Sequence, residues 1–444
     1  MHDLRKQALL ESGKTVSRKA RSKETTPPTS RNISRGNSAV PSPRGSRVGS
    51  RQGSDDEGDF SDDTEWSTNS IDALVAPGEL DGDGAGDAWI ADLEDRINAI
   101  TDRKRSSTEG REQQMSAFIA ALTRHFAREE LRPKVEELLP ALLKCVKSGQ
   151  SEREIILALK ALAMILITEP SETIYDAVEG PIKTTINDSE HPAAKVAAIH
   201  ALSIATFYGG ASLDETQEVM DFYLDIASTD GAVIDEADNG NIVVAALEEW
   251  GFLATQLDDV EDLTEAAMDT FVDQLESSDV GVQIAAGDNI ALLYEKSYTE
   301  AESDDEPEDA DEEDEGGNRM VKRYTVYRQT HQLQQILERL AKASSKRISK
   351  KDRKHLHLEF NDILGTIEKP TRGPRYSTAL DIEGRELGSR MKINIAGGGK
   401  MTIDKWWKLH RLNGLKRLLQ SGFMVHYEFN QTVFDSLPVI VEDD

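Results

Sequence analysis

The chain has 444 residues, of which 30% are charged and 6% aromatic, with a formal net charge of −29. Dense charge and few aromatics argue against a β-sandwich or a compact enzyme and suit a long helical protein with segments that bury little. The single cysteine, Cys145, excludes a disulfide framework and a cysteine-built zinc site, and fits a reducing compartment, cytosol or nucleus.

The start, MHDLRKQALLESGKTVSRKARS, has no apolar core of a signal peptide, and no run in the chain reaches the roughly 18 apolar residues of a membrane span. Residues 1–53 hold twelve Lys/Arg against three Asp/Glu and are rich in Ser, Pro and Gly. The next stretch, SDDEGDFSDDTEWSTNS at 54–70, is acidic, and Ser54 and Ser61 precede carboxylates as acidophilic kinases prefer, which makes them candidate phosphosites. Residues 1–87 are expected to be a disordered tail, basic and then acidic.

From about Ala88 the pattern turns helical. WIADLEDRINAI sets Ile90, Leu93, Ile97 and Ile100 on one face, a second helix follows around QQMSAFIAALTRHFA, and Pro133 opens a third, PKVEELLPALLKCVK, in which Cys145 reads as a buried thiol. Four apolar helices then look alike: REIILALKALAMILIT, AAKVAAIHALSIATF, NIVVAALEEWGFLAT and VGVQIAAGDNIALLYE. Aligning Ala158, Ala198, Ala246 and Ala286 gives spacings of 40, 48 and 40 residues, with a weaker helix between each pair. One helix pair per roughly 40–47 residues predicts an all-α HEAT/armadillo-like solenoid over residues 88–300.

The acidic run ESDDEPEDADEEDE within 301–317 predicts a disordered linker. Residues 318–349 read as a helix (MVKRYTVYRQTHQLQQILERLA) followed by a basic connector, KASSKRISKKDRKH. Residues 350–437 read as a small mixed domain: a helix ending near Pro370, short strands RMKINIA and KMTID around GGGK, and a helix TIDKWWKLHRLNGLKRLLQSG capped by Thr402 or Asp404 and closed by Gly422.

Catalytic signatures are missing. GGGK at 397–400 lacks the phosphate-loop pattern and reads as a β-turn; there is no G-x-S-x-G, no H-E-x-x-H and no kinase set, and His355 with His357 alone make no metal site. The expectation is a non-enzyme with no cofactor, metal or small-molecule substrate. The informative constellation is basic and aromatic. In DKWWKLHRLNGLKR, Leu409, Leu412, Leu415 and Leu419 form a buried stripe, and Lys405, Lys408, Arg411 and Lys416 lie largely off it. Together with Trp406, Trp407, His410, Arg417 and His426 these make a candidate contact surface for RNA, a ribosome or a protein partner. One tryptophan is expected in the core, and the other free to stack.

KKDRKHLHLEFNDILGTIEKP and DKWWKLHRLNGLKRLLQSGFMVHYEFNQTVFDSLP resemble the C-terminal domain of the interferon-related developmental regulator family, through Trp406, Ser421, Gly422, His426, Asn430 and Phe434. The Ser/Arg/Gly-rich start and the helical repeats resemble the layout of the same family. That resemblance implies no catalysis. It implies an adaptor that associates with ribosomes or RNA to regulate translation, or alternatively a transcriptional co-regulator that binds protein partners along the concave face of the solenoid, in cytoplasm or nucleus. Two departures stand out: no long basic tail follows SLPVIVEDD, and the acidic insertion is large.

Overall fold

The computed structural model describes residues 88–102, 106–301, 310–313, 319–342, 350–374, 391–394 and 400–437. The basic and acidic tail, Ser54 and Ser61 lie outside the described residues.

The repeats are present as read. Helices α1 (Ala88–Thr101), α2 (Thr108–Arg124), α3 (Arg128–Leu131), α4 (Val135–Ser148), α5 (Glu152–Thr168), α6 (Tyr175–Asp188), α7 (Pro192–Tyr208), α8 (Leu213–Ser228), α9 (Gly240–Ala254), α10 (Glu261–Gln274) and α11 (Val280–Lys296) follow in order. Several carry their own start signal. Ser107 accepts the N–H of Gly110, Ser151 that of Glu154, Asp279 those of Gly281 and Val282, and Ser212 and Glu215 form a reciprocal capping box.

The apolar helices stack on one another as α2–α5–α7–α9–α11, and the weaker ones, α1, α4, α6, α8 and α10, form a second layer against them. This is a two-layer helical solenoid. Ala158, Ala198, Ala246 and Ala286 are all fully buried in the first layer. Small side chains there let neighbouring axes close up, so added volume has nowhere to go. Ala198→Val is expected to cost about 1–3 kcal/mol through overpacking, read as a lower urea midpoint at unchanged slope. An unchanged midpoint would refute the register.

Polar bridges tie successive turns. Arg111 of α2 donates two hydrogen bonds to the buried carboxylate of Glu154, at 2.6 and 2.9 Å. Lys195 is buried, and its ammonium donates to the carbonyls of Asn187 at 3.0 Å and Ile234 at 2.6 Å. Burial of a charged group is tolerated because each has its partner.

Beyond α11 the expectations need correction in three places. Residues 320–341 are not one helix: β3 (Arg319–Lys322) comes first and α12 (Thr330–Ala341) follows. β3 is the middle of a three-stranded antiparallel sheet with β1 (Tyr298–Glu300) and β2 (Ala310–Glu313). β2 thus takes four residues out of the acidic stretch read as linker; backbone pairing needs no apolar side chain, so composition does not reveal it. Helix α13 (Lys350–Glu368) begins inside the basic run read as a connector. It stacks on α11 and α12 with Phe360 and Ile363 buried, extending the helical layer into the region read as a small separate domain. The β4 (Met391–Asn394) and β5 (Lys400–Ile403) strands pair antiparallel as expected; the GGG turn between them lies outside the described residues. Helices α14 (Trp406–Leu419), α15 (Phe423–Phe429) and α16 (Gln431–Ser436) complete the chain described.

Candidate functional site at the C-terminal helix

Helix α14 does not lie on the surface. It packs across α5, α9 and α11 of the solenoid, and α15 and α16 continue onto α2 and α5. Two glycines permit the approach. A Cβ on Gly414 would sit 2.9 Å from the Phe252 ring of α9, and one on Gly251 would sit 2.2 Å from Asn289 Oδ1 and 2.4 Å from His410.

The helix has no local cap. Lys405 is the N-cap residue and its side chain accepts nothing; neither Thr402 nor Asp404 serves. The cap comes from the solenoid. Glu295, in the last turn of α11, accepts the backbone N–H of Trp406 at 2.8 Å and of Trp407 at 3.1 Å. Burial lifts the pKa of this carboxyl to about 7, and the two N–H groups partly offset that. At the other end the helix stops at Leu419, with Gln420 in a left-handed conformation (φ 49°), rather than at Gly422.

Three polar contacts then run along the segment. Arg417 forms ion pairs with Glu249 and, at 2.6 Å, with Glu248, both on α9, and lies 3.1 Å from His200 Nδ1 of α7. His200 Nδ1 is itself 2.7 Å from Glu249 Oε1. Burial pushes the Glu249 pKa up, but Arg417 and the His200 hydrogen bond outweigh it and leave the carboxyl below its ordinary value. His200 is lowered by burial and by Arg417. His410 Nε2 lies 3.4 Å from the Asp288 carbonyl, and burial takes its pKa down to about 4. Arg411 donates to the hydroxyl and carbonyl of Thr255 at 3.0 and 2.9 Å and to Ser436 O at 3.3 Å. Farther on, His426 Nε2 is 2.7 Å from Leu122 O of α2, Asn430 donates to Ile167 O of α5 at 2.8 Å, and Tyr208 meets the Ser436 hydroxyl at 2.9 Å.

Of the nine residues read as a contact surface, Trp406, His410, Lys416, Arg417 and His426 are buried, and Lys405, Trp407, Lys408 and Arg411 are half-buried. The leucine stripe is buried as expected, but Lys416 is not off it: its ammonium is buried without a hydrogen-bond partner, 5.9 Å from the Phe423 ring centroid. A single periodicity marks one buried face, whereas this helix is enclosed on several sides. Trp406 fills the core and its indole N–H donates to Thr366 at 2.8 Å. Trp407 is not free to stack on a base: Arg411 and Lys408 sit 5.1 and 5.6 Å from its ring. Lys408 also pairs with Asp404 at 2.6 Å.

The residues that sequence reasoning missed are Glu248, Glu249, His200, Thr255 and Glu295. Their signal was available: His200 interrupts AAIHALS and Glu248–Glu249 interrupt VVAALEEWGFLA, polar groups inside otherwise apolar helices. Among the described residues no cluster of His, Cys, Asp and Glu is arranged to hold a metal ion, and no helix is long and apolar enough to cross a membrane.

Comparison with known proteins finds relatives along most of the chain. The chain is 28% identical over 392 residues to an uncharacterized protein of Schizosaccharomyces pombe, covering 86% of this chain and 82% of the relative. It is 23% identical over 394 residues to interferon-related developmental regulator 1 of Homo sapiens, covering 83% and 76%. It is 22% identical over 367 residues to interferon-related developmental regulator 2 of Mus musculus, covering 79% and 74%. The family model for interferon-related developmental regulators matches residues 60–368, a span that holds the whole helical layer and stops before α14. With most of its length matched, this chain belongs to the interferon-related developmental regulator family.

Proposed function

We propose that the chain is a non-catalytic adaptor of cytosol or nucleus that associates with ribosomes or RNA to regulate translation, and that its phosphate-facing surface is β3 with α12 and the turns beside them, Lys369 included, rather than α14. The observation that carries this reading is the distribution of exposed cations. Lys322, Arg328, Arg339, Lys342 and Lys369 are all exposed, whereas the basic residues of α14 are spent inside the fold. Cations that reach water release counterions when they meet phosphate; buried ones do not.

Changing Lys322, Arg328, Lys342 and Lys369 together to Glu is expected to leave the melting temperature unchanged and to weaken co-sedimentation with ribosomes on sucrose gradients. Wild-type association should fall steeply with salt, and ribonuclease should abolish it. A charge-reversed protein that sediments like wild type would remove this surface from the reading. A wild type that never sediments with ribosomes at low salt would remove the reading itself.

A second reading, a transcriptional co-regulator that binds protein partners, has one observation in its favour. Between Lys195 and Lys296 the sequence has no Lys or Arg and 22 Asp/Glu. Asp214, Glu218, Asp221 and Asp225 of α8, with Glu261, Asp262, Glu265, Asp269 and Asp273 of α10, are exposed on adjacent helices of the second layer. Such a surface repels nucleic acid and suits basic protein partners. The second layer is the surface for that reading, because α14–α16 cover helices of the first layer.

A further inference from the structure

We propose that α15, α16 and the last turn of α14 form a proton-sensitive latch on the solenoid, closed only while His426 and His200 are neutral. The inference goes beyond the ribosome reading and does not depend on it.

The hydrogen bonds of His426 fix one neutral form. Its Nε2 is 2.7 Å from the Leu122 carbonyl, which can only accept, so Nε2 carries the proton. Its Nδ1 is 3.4 Å from Asn430 Nδ2, which can only donate and which also donates to Ile167 O at 2.8 Å. A second proton would set an N–H of the ring against the amide N–H of Asn430. The ring is fully buried, and among the described residues no carboxylate hydrogen-bonds to it. The elements around it supply Leu122 O from α2, Ile167 O of α5 by way of Asn430, and the Phe126 ring at 6.1 Å. On α14, Lys416 lies 5.9 Å from the ring of Phe423, which shares the short helix α15 with His426. His200, at the next contact, sits between Glu249 and Arg417, with Glu248 on the other side of the guanidinium.

The sign follows from which state binds the proton. Burial lowers both histidines, for His200 together with Arg417 and against the Glu249 carboxylate 2.7 Å away, so the closed state keeps its full advantage above the ordinary histidine range and loses it as the pH falls below about 6.5. The start of α14 behaves differently. Glu295, which faces Lys296 and Lys405, and Asp288, which faces Glu248, Glu359 and Asp362, are both raised. Each holds a proton when closed that it would release when open, so acid tightens this end and offsets the lowered His410. Opening on acidification is therefore confined to the far half of the segment.

Hydrogen exchange by mass spectrometry on the full chain at pH 7.5, 6.5 and 5.5, corrected for the intrinsic rate, tests this. Protection across residues 423–436 is expected to fall about tenfold or more between pH 6.5 and 5.5, while that of residues 406–409 holds. In His426→Gln the amide can donate to Leu122 O and accept from Asn430 without titrating, so protection should persist at pH 7.5 and the fall should shrink severalfold. If that variant is unprotected already at pH 7.5, His200→Gln decides: a smaller fall supports the latch, and an undiminished fall overturns it. Wild-type protection that stays constant down to pH 5.5 overturns it outright, as does a docked His426→Gln variant with the wild-type response.

Discussion

Replacing Arg417 with Met is expected to destabilise the protein by about 3–5 kcal/mol, among the largest effects available to a single substitution in this fold. Arg417 is 6% exposed and Glu249 only 2%, so the change strands a carboxylate in the interior with a neutral imidazole beside it. Water cannot solvate the orphaned charge, so either a proton is taken up, by the carboxyl or by the His200 imidazole 2.7 Å away, or the interface opens. The pair as a whole is a different matter, because its attraction is largely offset by the cost of drying both ions. Arg417→Met combined with Glu249→Met should therefore recover a substantial part of the loss. Urea unfolding of the two single variants and the double variant measures this coupling. A single variant within about 1 kcal/mol of wild type would show that Arg417 is solvated in solution and that α14 is not docked as described.

Trp406→Ala is expected to cost a similar amount, about 3–5 kcal/mol, while Trp407→Ala costs clearly less. The neighbours in sequence differ in surroundings. Trp406 is fully enclosed and its indole N–H is bonded to Thr366, so removing the ring leaves a cavity and takes away the donor to the Thr366 hydroxyl, which keeps only its own bond to Asp362 O at 3.1 Å. Trp407 is half-buried beside Arg411 and Lys408, where water can fill the vacated space. Thermal melts of the two alanine variants give the comparison. Equal losses would mean that the two rings share one environment, contrary to the packing.

The solenoid was legible because its information is local. A run such as LALKALAMILI, with small residues at every turn, states its own burial, and Ser107, Ser151, Ser212 and Asp279 mark where helices begin. The C-terminal helix was misplaced for the opposite reason. Arg417 and His410 read as a wet, basic face because the groups that accompany them, Glu248, Glu249 and the Asp288 carbonyl, lie more than a hundred residues earlier. Periodicity reports which residues share a face of one helix, and nothing about what waits opposite. β2 was hidden for a third reason: an edge strand is held by its backbone, and acidic side chains are no obstacle to that.

The cap that Glu295 provides has a consequence for how the protein is made. Helix α14 takes its first hydrogen bonds from a carboxylate 111 residues upstream of Trp406. A peptide of residues 404–437 lacks that carboxylate and is too short to hold a helix on propensity alone, so in isolation it should be largely unstructured. On the ribosome the order is favourable. Synthesis delivers α9 and α11 before α14, so this helix emerges to find its starting point already built, and its buried Arg417 meets Glu248 and Glu249 as the helix folds rather than waiting for them.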